Sequence, residues 1–287
     1  MQSAGSWMVF LRVNDDRLLS ICHLDDNEQP RASEILVRAR PVAAMGFFRA
    51  VIYGVIFGVY AYTLAYDVRT LPRFGVTWWL SKLVMLTVLN LVLQTFYSAL
   101  CFLCAILDWK NERSQKKLSK PQKVLPSYWR KSKLHDLCDF VFYTSAFPVG
   151  IATCVLFWVL YAANPEFVVP KYVVPFVPQF YNHVTHSAPL VFLLVDTLLT
   201  CHHAPSRWTG SATVCVLFAL YTSLILGIRH YQGYWLYPIF EFLSTQQKIL
   251  LFTAAGILFW FLYLICDGLN TLLWGTASHK KPSKKAE

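Results

Sequence analysis

Residues 83–107 read LVMLTVLNLVLQTFYSALCFLCAIL, a stretch without one Asp, Glu, Lys or Arg. A helix rising about 1.5 Å per residue needs ~20 residues to cross the hydrocarbon core of a bilayer, and this run exceeds that. Traced back to Trp78, it is the second of six such segments, near 44–66, 78–107, 139–162, 180–201, 211–228 and 247–275. The pattern predicts an all-α, polytopic membrane protein: a bundle of about six transmembrane helices within residues 44–275. Residues 1–43 mix acids, bases and short apolar pieces without periodicity and read as an N-terminal tail, while 276–287 form a basic C-terminal tail.

Composition agrees. The chain is 56% hydrophobic and 15% charged, more apolar than a soluble domain of 287 residues. Its 10 Trp and 15 Tyr suit the headgroup level of a membrane. A net charge of +10 does not point to nucleic acid, because the bases lie between and beyond the apolar runs rather than along a stripe. They read as topology determinants. Nine lie between Asp108 and Cys138 (Lys110, Arg113, Lys116, Lys117, Lys120, Lys123, Arg130, Lys131 and Lys133), whereas the loop after the third span has only Lys171. The basic loop, and with it both termini, is expected in the cytoplasm. Lys284 and Lys285 resemble a dilysine signal for retrieval to the endoplasmic reticulum, although a generic basic tail explains them equally well. Either an endomembrane or a plasma-membrane location stays open. Charged residues recur from Arg12 to Arg40, so no cleavable secretory signal is expected. Most of the eight cysteines fall in apolar runs, where a thiol acts as a small hydrophobe; Cys101 and Cys104 form a lone CxxC, and Cys138 is a packed thiol or a palmitoylation site.

Function is sought in the polar residues that lipid should exclude. Thr87, Asn90, Gln94 and Ser98 share one face of the second span, which must therefore look into the bundle. They glue helices together or line a hydrated cavity. In the fourth span Asn182, His183, His186, Ser187 and Asp196 interrupt an apolar run; ionisable groups at such depth are functional candidates. Asn182 stands one turn from His186 and is expected to hold its imidazole. Counted from Trp78 and Tyr181, Thr87 lies about 14 Å and His186 about 8 Å below the same surface. At overlapping depth the hydroxyl and imidazole would make a nucleophile and base pair for acyl transfer from an ester to water. Asn90, one turn from Thr87, is a candidate oxyanion donor. His202 and His203 read as an interfacial feature; His186 and His202 are about 24 Å apart on one helix, too far to share an iron cluster. There is no GxSxG, phosphate-binding glycine loop or HExxH. Pro148 and Pro189 are expected to kink the third and fourth spans, and the Pro- and aromatic-rich segments Val168 to Tyr181 and His230 to Gln247 to lie along the outer interface.

The segment from Thr87 to Tyr97, followed by Ala146-Phe-Pro148-Val-Gly150, Asn182-His183-Val-Thr-His186-Ser187, His202-His203-Ala-Pro205-Ser-Arg207 and Trp235-Leu-Tyr237-Pro238-Ile-Phe-Glu241, resembles the androgen-induced gene 1 protein family. The resemblance runs from about residue 75 to Trp274. It implies a multi-pass membrane fold and a threonine hydrolase that cleaves fatty acid esters of hydroxy fatty acids, with Thr87 as nucleophile and His186 as catalytic histidine. That chemistry needs no metal or organic cofactor, and from the depth of the two residues a long acyl substrate is expected to enter sideways from the bilayer. The competing reading is a non-enzymatic membrane protein, a transporter or a regulatory partner, whose polar stripe lines a path or packs helices.

Overall fold

The computed structural model describes residues 45–71, 82–117, 132–169, 171 and 173–275. Both tails with the terminal dilysine, residues 118–131 of the basic loop, and Trp78 lie outside these. Among the described residues every regular element is helical: α1 Met45–Thr70, α2 Leu86–Lys117, α3 Lys133–Ala163, α4 Gln179–His186, α5 Ala188–Leu199, α6 Arg207–Gln232, the single turn α7 Ile239–Phe242, and α8 Thr245–Trp274. Three starts follow from serine caps. Ser132, Ser206 and Ser244 accept the backbone N–H groups of His135, Thr209 and Gln247, closing the first turns of α3, α6 and α8. Gly233, at φ 75°, ends α6 in a left-handed conformation that costs glycine nothing.

Five helices, α1, α2, α3, α6 and α8, are long and apolar enough to cross a membrane. The fourth span, expected as one continuous helix, is instead the pair α4 and α5, broken at Ser187. Pro189 has no N–H to offer the carbonyl one turn earlier, so the ladder parts there. The pair still traverses the bundle. Near its start, the Tyr181 hydroxyl donates to Asp67 of α1 at 2.8 Å; just past its end, Arg49 of α1 donates to Thr200 at 3.1 Å. Arg49 and Asp67 lie roughly 27 Å apart along α1. In α3 the backbone widens into a π-helical turn, Phe142–Ala146, immediately ahead of Pro148.

The second span also departs from expectation. Lys82 and Leu83 are helical, the helix is interrupted at Val84 and Met85, and α2 begins at Leu86, so Thr87 sits in the first turn after a break rather than some way down a continuous helix. Polar and apolar surfaces are arranged inside out. Asn90, Gln94, Ser98, Thr153 and Asp196 are buried, whereas Val55, Val92, Phe96, Leu220 and Leu250 are exposed on the periphery. In lipid this is the favourable arrangement, since buried polar groups find partners and the apolar exterior costs nothing. α1 lies along α2, and α8 packs against α3 and α6. Gly150 permits one close approach: a Cβ there would stand 2.6 Å from Leu193 and 2.7 Å from the Gln94 amide.

Candidate functional site

A cavity of about 510 Å³ opens among the start of α2, the helices α3, α4, α6 and α8, and the two Pro- and aromatic-rich connections. Its walls are mainly apolar, with Phe157, Ile225, Phe252 and Phe259 among them, as in pockets that hold hydrophobic ligands. Thr87, Asn182 and His186 all line it. The fold therefore brings the two nominated residues to one space.

Thr87 differs from most threonines of the helices. Thr63, Thr95, Thr144, Thr153, Thr185, Thr197, Thr213 and Thr253 each donate to the carbonyl four residues earlier. For Thr87 the carbonyl four back belongs to Leu83, on the other side of the break at Val84 and Met85, which takes it out of regular i−4 geometry. Its hydroxyl has no hydrogen-bond partner among the described residues. The start of α2 is itself pinned by two phenols: Leu86 N–H donates to the Tyr237 hydroxyl at 2.8 Å, the Tyr221 hydroxyl donates to Val84 O at 3.1 Å, and the two hydroxyls lie 2.5 Å apart. Tyr237 belongs to the motif beginning at Trp235, so that segment fixes the turn carrying Thr87.

His186 is the last residue of α4, on the cavity side of the helix break. Its ring stacks on Phe157 with centroids 3.6 Å apart and planes 7° apart. Trp158 Nε1 donates to its carbonyl at 2.9 Å and to Ser187 Oγ at 3.2 Å. The imidazole Nδ1 is buried without a hydrogen-bond partner among the described residues. Asn182 does not supply one: among the described residues its side chain makes no bond to the imidazole, and its backbone carbonyl accepts from Thr185 at 3.2 Å. Asn90 does not line the cavity. Its Oδ1 accepts from Gln94 Nε2 at 3.1 Å, the same nitrogen donates to Ala146 O at 2.8 Å, and Ser98 bonds back to Gln94 O at 2.7 Å. The stripe thus divides: its deeper members pack helices, and only Thr87 faces the cavity.

Three lining groups that the sequence reading passed over are Asp67, Lys82 and Tyr181, gathered at one end of the cavity. Lys82 was detectable, since it is a cation within the run 78–107 and the default that flags Asp196 applies to it equally. The Thr222 hydroxyl, also in the lining, is likewise buried without a partner among the described residues.

A second polar centre, built around Asp196, occupies the opposite end of the bundle and corrects the reading of His202. His202 is fully buried, not interfacial: Nδ1 lies 2.9 Å from Asp139, Nε2 3.2 Å from Asp196, and the ring stacks on Phe142 at 3.8 Å. Asp196 also accepts from the hydroxyls of Tyr53, at 2.5 Å, and Tyr97. Arg49 pairs with Asp108 at 3.0 Å, and His135 lies 3.2 Å from the other oxygen of Asp108. Cys101 lies 3.6 Å from Cys138 in this region, so the partner of the CxxC cysteine is a buried thiol from α3.

The model of the FAR-17a/AIG1-like protein family matches residues 48–271. The androgen-induced gene 1 protein of Homo sapiens is 30% identical over 200 residues, covering 70% of this chain and 81% of that protein. The androgen-dependent TFPI-regulating proteins of Homo sapiens and Rattus norvegicus are 31% and 32% identical over 201 and 200 residues, each covering 70% of this chain and 80% of the relative. No solved structure matches.

Proposed function

Because the chain belongs to the FAR-17a/AIG1-like family and its cavity holds both an uncommitted hydroxyl and an uncommitted imidazole nitrogen, we propose that it is an intramembrane hydrolase of fatty acid esters of hydroxy fatty acids. His186 takes the Thr87 proton as Oγ1 attacks the ester carbonyl. The tetrahedral intermediate collapses, and the departing alkoxide of the hydroxy fatty acid takes that proton from His186. Water, deprotonated by the same imidazole, then attacks the threonyl ester, releasing the second fatty acid and restoring the hydroxyl. Threonine, histidine and water suffice for this sequence. The observation that carries it is that Thr87 and His186 line one mainly apolar cavity, and among the described residues neither the Thr87 hydroxyl nor His186 Nδ1 has a hydrogen-bond partner.

The test is labelling with a fluorophosphonate probe together with ester turnover. Thr87→Ala and His186→Ala should each lose labelling and lower turnover by about 10²- to 10⁴-fold at normal protein levels. Labelling that survives Thr87→Ala would sink the proposal. One observation favours the non-enzymatic reading, namely the use of Asn90, Gln94 and Ser98 as helix glue. On that reading both alanine variants reduce protein level instead of labelling.

The distribution of Lys and Arg supports cytoplasmic termini, so the cavity would face the opposite leaflet. A glycosylation sequon inserted after Lys171 should then be modified, and one inserted between Lys117 and Ser132 should not.

A further inference from the structure

We propose that Lys82 is the carboxylate anchor of the cavity, holding the free acid group of a long-chain substrate while its ester lies at Thr87. The inference rests on the hydrolase reading for the identity of that substrate and on the cavity alone for the anchor. Lys82 is the only Lys or Arg among the described residues of the lining. Its side chain is about four-fifths buried, and the ammonium lies 3.0 Å from Asp67 Oδ2 and 3.1 Å from Asp67 O. An ammonium carries three N–H donors, so these two contacts leave one for a ligand. Asp67 is held from its other side by the Tyr181 hydroxyl, at 2.8 Å on Oδ1. This fixes the aspartate and keeps the lysine at the cavity instead of letting it extend into the headgroups.

Position supports the assignment. Lys82 precedes Thr87 by five residues through the break at Val84 and Met85, a separation of roughly 7–10 Å along the chain axis. A hydroxy fatty acid whose ester carbonyl is at Thr87 can therefore extend several methylenes toward the Asp67, Lys82 and Tyr181 end and finish in its carboxylate. The remaining walls, apolar and aromatic, suit the two hydrocarbon chains. A carboxylate arriving at Lys82 gains a charge-assisted hydrogen bond in a site shielded from water, and an uncharged end group does not. The cavity should thus distinguish acids from their esters at a point remote from the reacting carbonyl.

The experiment uses the full chain in lipid nanodiscs and two pairs of ligands. One pair is a fatty acid ester of a hydroxy fatty acid with its carboxyl free or capped as a methyl ester, turnover being read as release of the esterified chain. The other is the non-hydrolysable ether analogue, free or capped, read by binding. Wild type should favour the free acid in both pairs, and Lys82→Met should reduce that preference by about tenfold to a hundredfold, through KM in the first and Kd in the second. Asp67→Asn, which leaves the lysine charged and less neutralised, should keep or raise the preference. The ratio cancels any loss of folded protein. An unchanged ratio in Lys82→Met overturns the proposal, as does an Asp67→Asn variant that loses the preference equally, because Lys82 and Asp67 would then be only a structural pair. If neither ester is turned over yet the ether analogues show the Lys82-dependent preference, the hydrolase reading fails and the anchor stands.

Discussion

A membrane threonine ordinarily spends its hydroxyl on its own helix, as eight others among the described residues do, and Thr87 does not because it stands in the first turn of α2, separated from the carbonyl four back by the break at Val84 and Met85. Since that hydroxyl has no partner among the described residues, Thr87→Val removes the proposed nucleophile without removing a hydrogen bond found there. Its stability cost should fall within about 0.5 kcal/mol in thermal unfolding, while probe labelling disappears and Thr87→Ser retains it. Asn90→Ala is the contrast one turn deeper: it strips a partner from Gln94 and should cost about 1–3 kcal/mol without being a direct chemical lesion. Helical spacing made the polar stripe visible in the sequence. The difference between its members was not visible, because it depends on where the helix begins and on which groups α3 presents, such as the Ala146 carbonyl. Lys82 was overlooked for another reason: one charge inside a long apolar run does not break the run, although its burial beside Asp67 gives it consequence.

At the scale of the element, the apolar runs fixed the number of crossings but not their continuity. Leu83, Val84 and Met85 are as apolar as the helix that follows, and what starts α2 at Leu86 is tertiary, the Tyr221 and Tyr237 hydroxyls taking the backbone groups of Val84 and Leu86. The α4–α5 break was signalled by Pro189, yet its stabilising contact comes from α3: the Trp158 indole occupies the His186 carbonyl that a continuous helix would have bonded internally. Trp158 is accordingly a positioning residue for the imidazole. Trp158→Phe keeps an aromatic ring and deletes the donor, leaving a carbonyl without its partner at about 1–3 kcal/mol. The expected result is a kcat reduced more than KM is raised, because the ring shifts relative to Thr87 while the cavity walls remain. A variant destabilised to that degree with unaltered kcat would confine Trp158 to packing.

For the whole molecule, the two polar centres divide the labour. The cavity end carries Thr87 and His186 with their reactive atoms unspent, whereas the other end ties α1, α2, α3 and α5 together through Arg49, Tyr53, Tyr97, Asp108, His135, Asp139, Asp196 and His202. His202 lies in the connection after α5, beyond the crossing itself. Burial alone would lower its pKa, but the carboxylates of Asp196 and Asp139 outweigh burial and push it up to about 9 from an ordinary 6.5. The folded state thus binds a proton that the unfolded state has released at neutral pH. Stability from this group is complete below about pH 6.5 and is lost as pH rises through about 9. The thermal midpoint of the protein in detergent should therefore decline from pH 7 to 10. His202→Gln, which cannot gain the charge, should be less stable at pH 7 and show a shallower decline. Equal slopes for the two proteins would mean that His202 does not carry the linkage. Because α5 continues from α4 across the break, the same titration should reach the imidazole at the far end weakly: labelling of Thr87 should persist at alkaline pH until the bundle itself loosens.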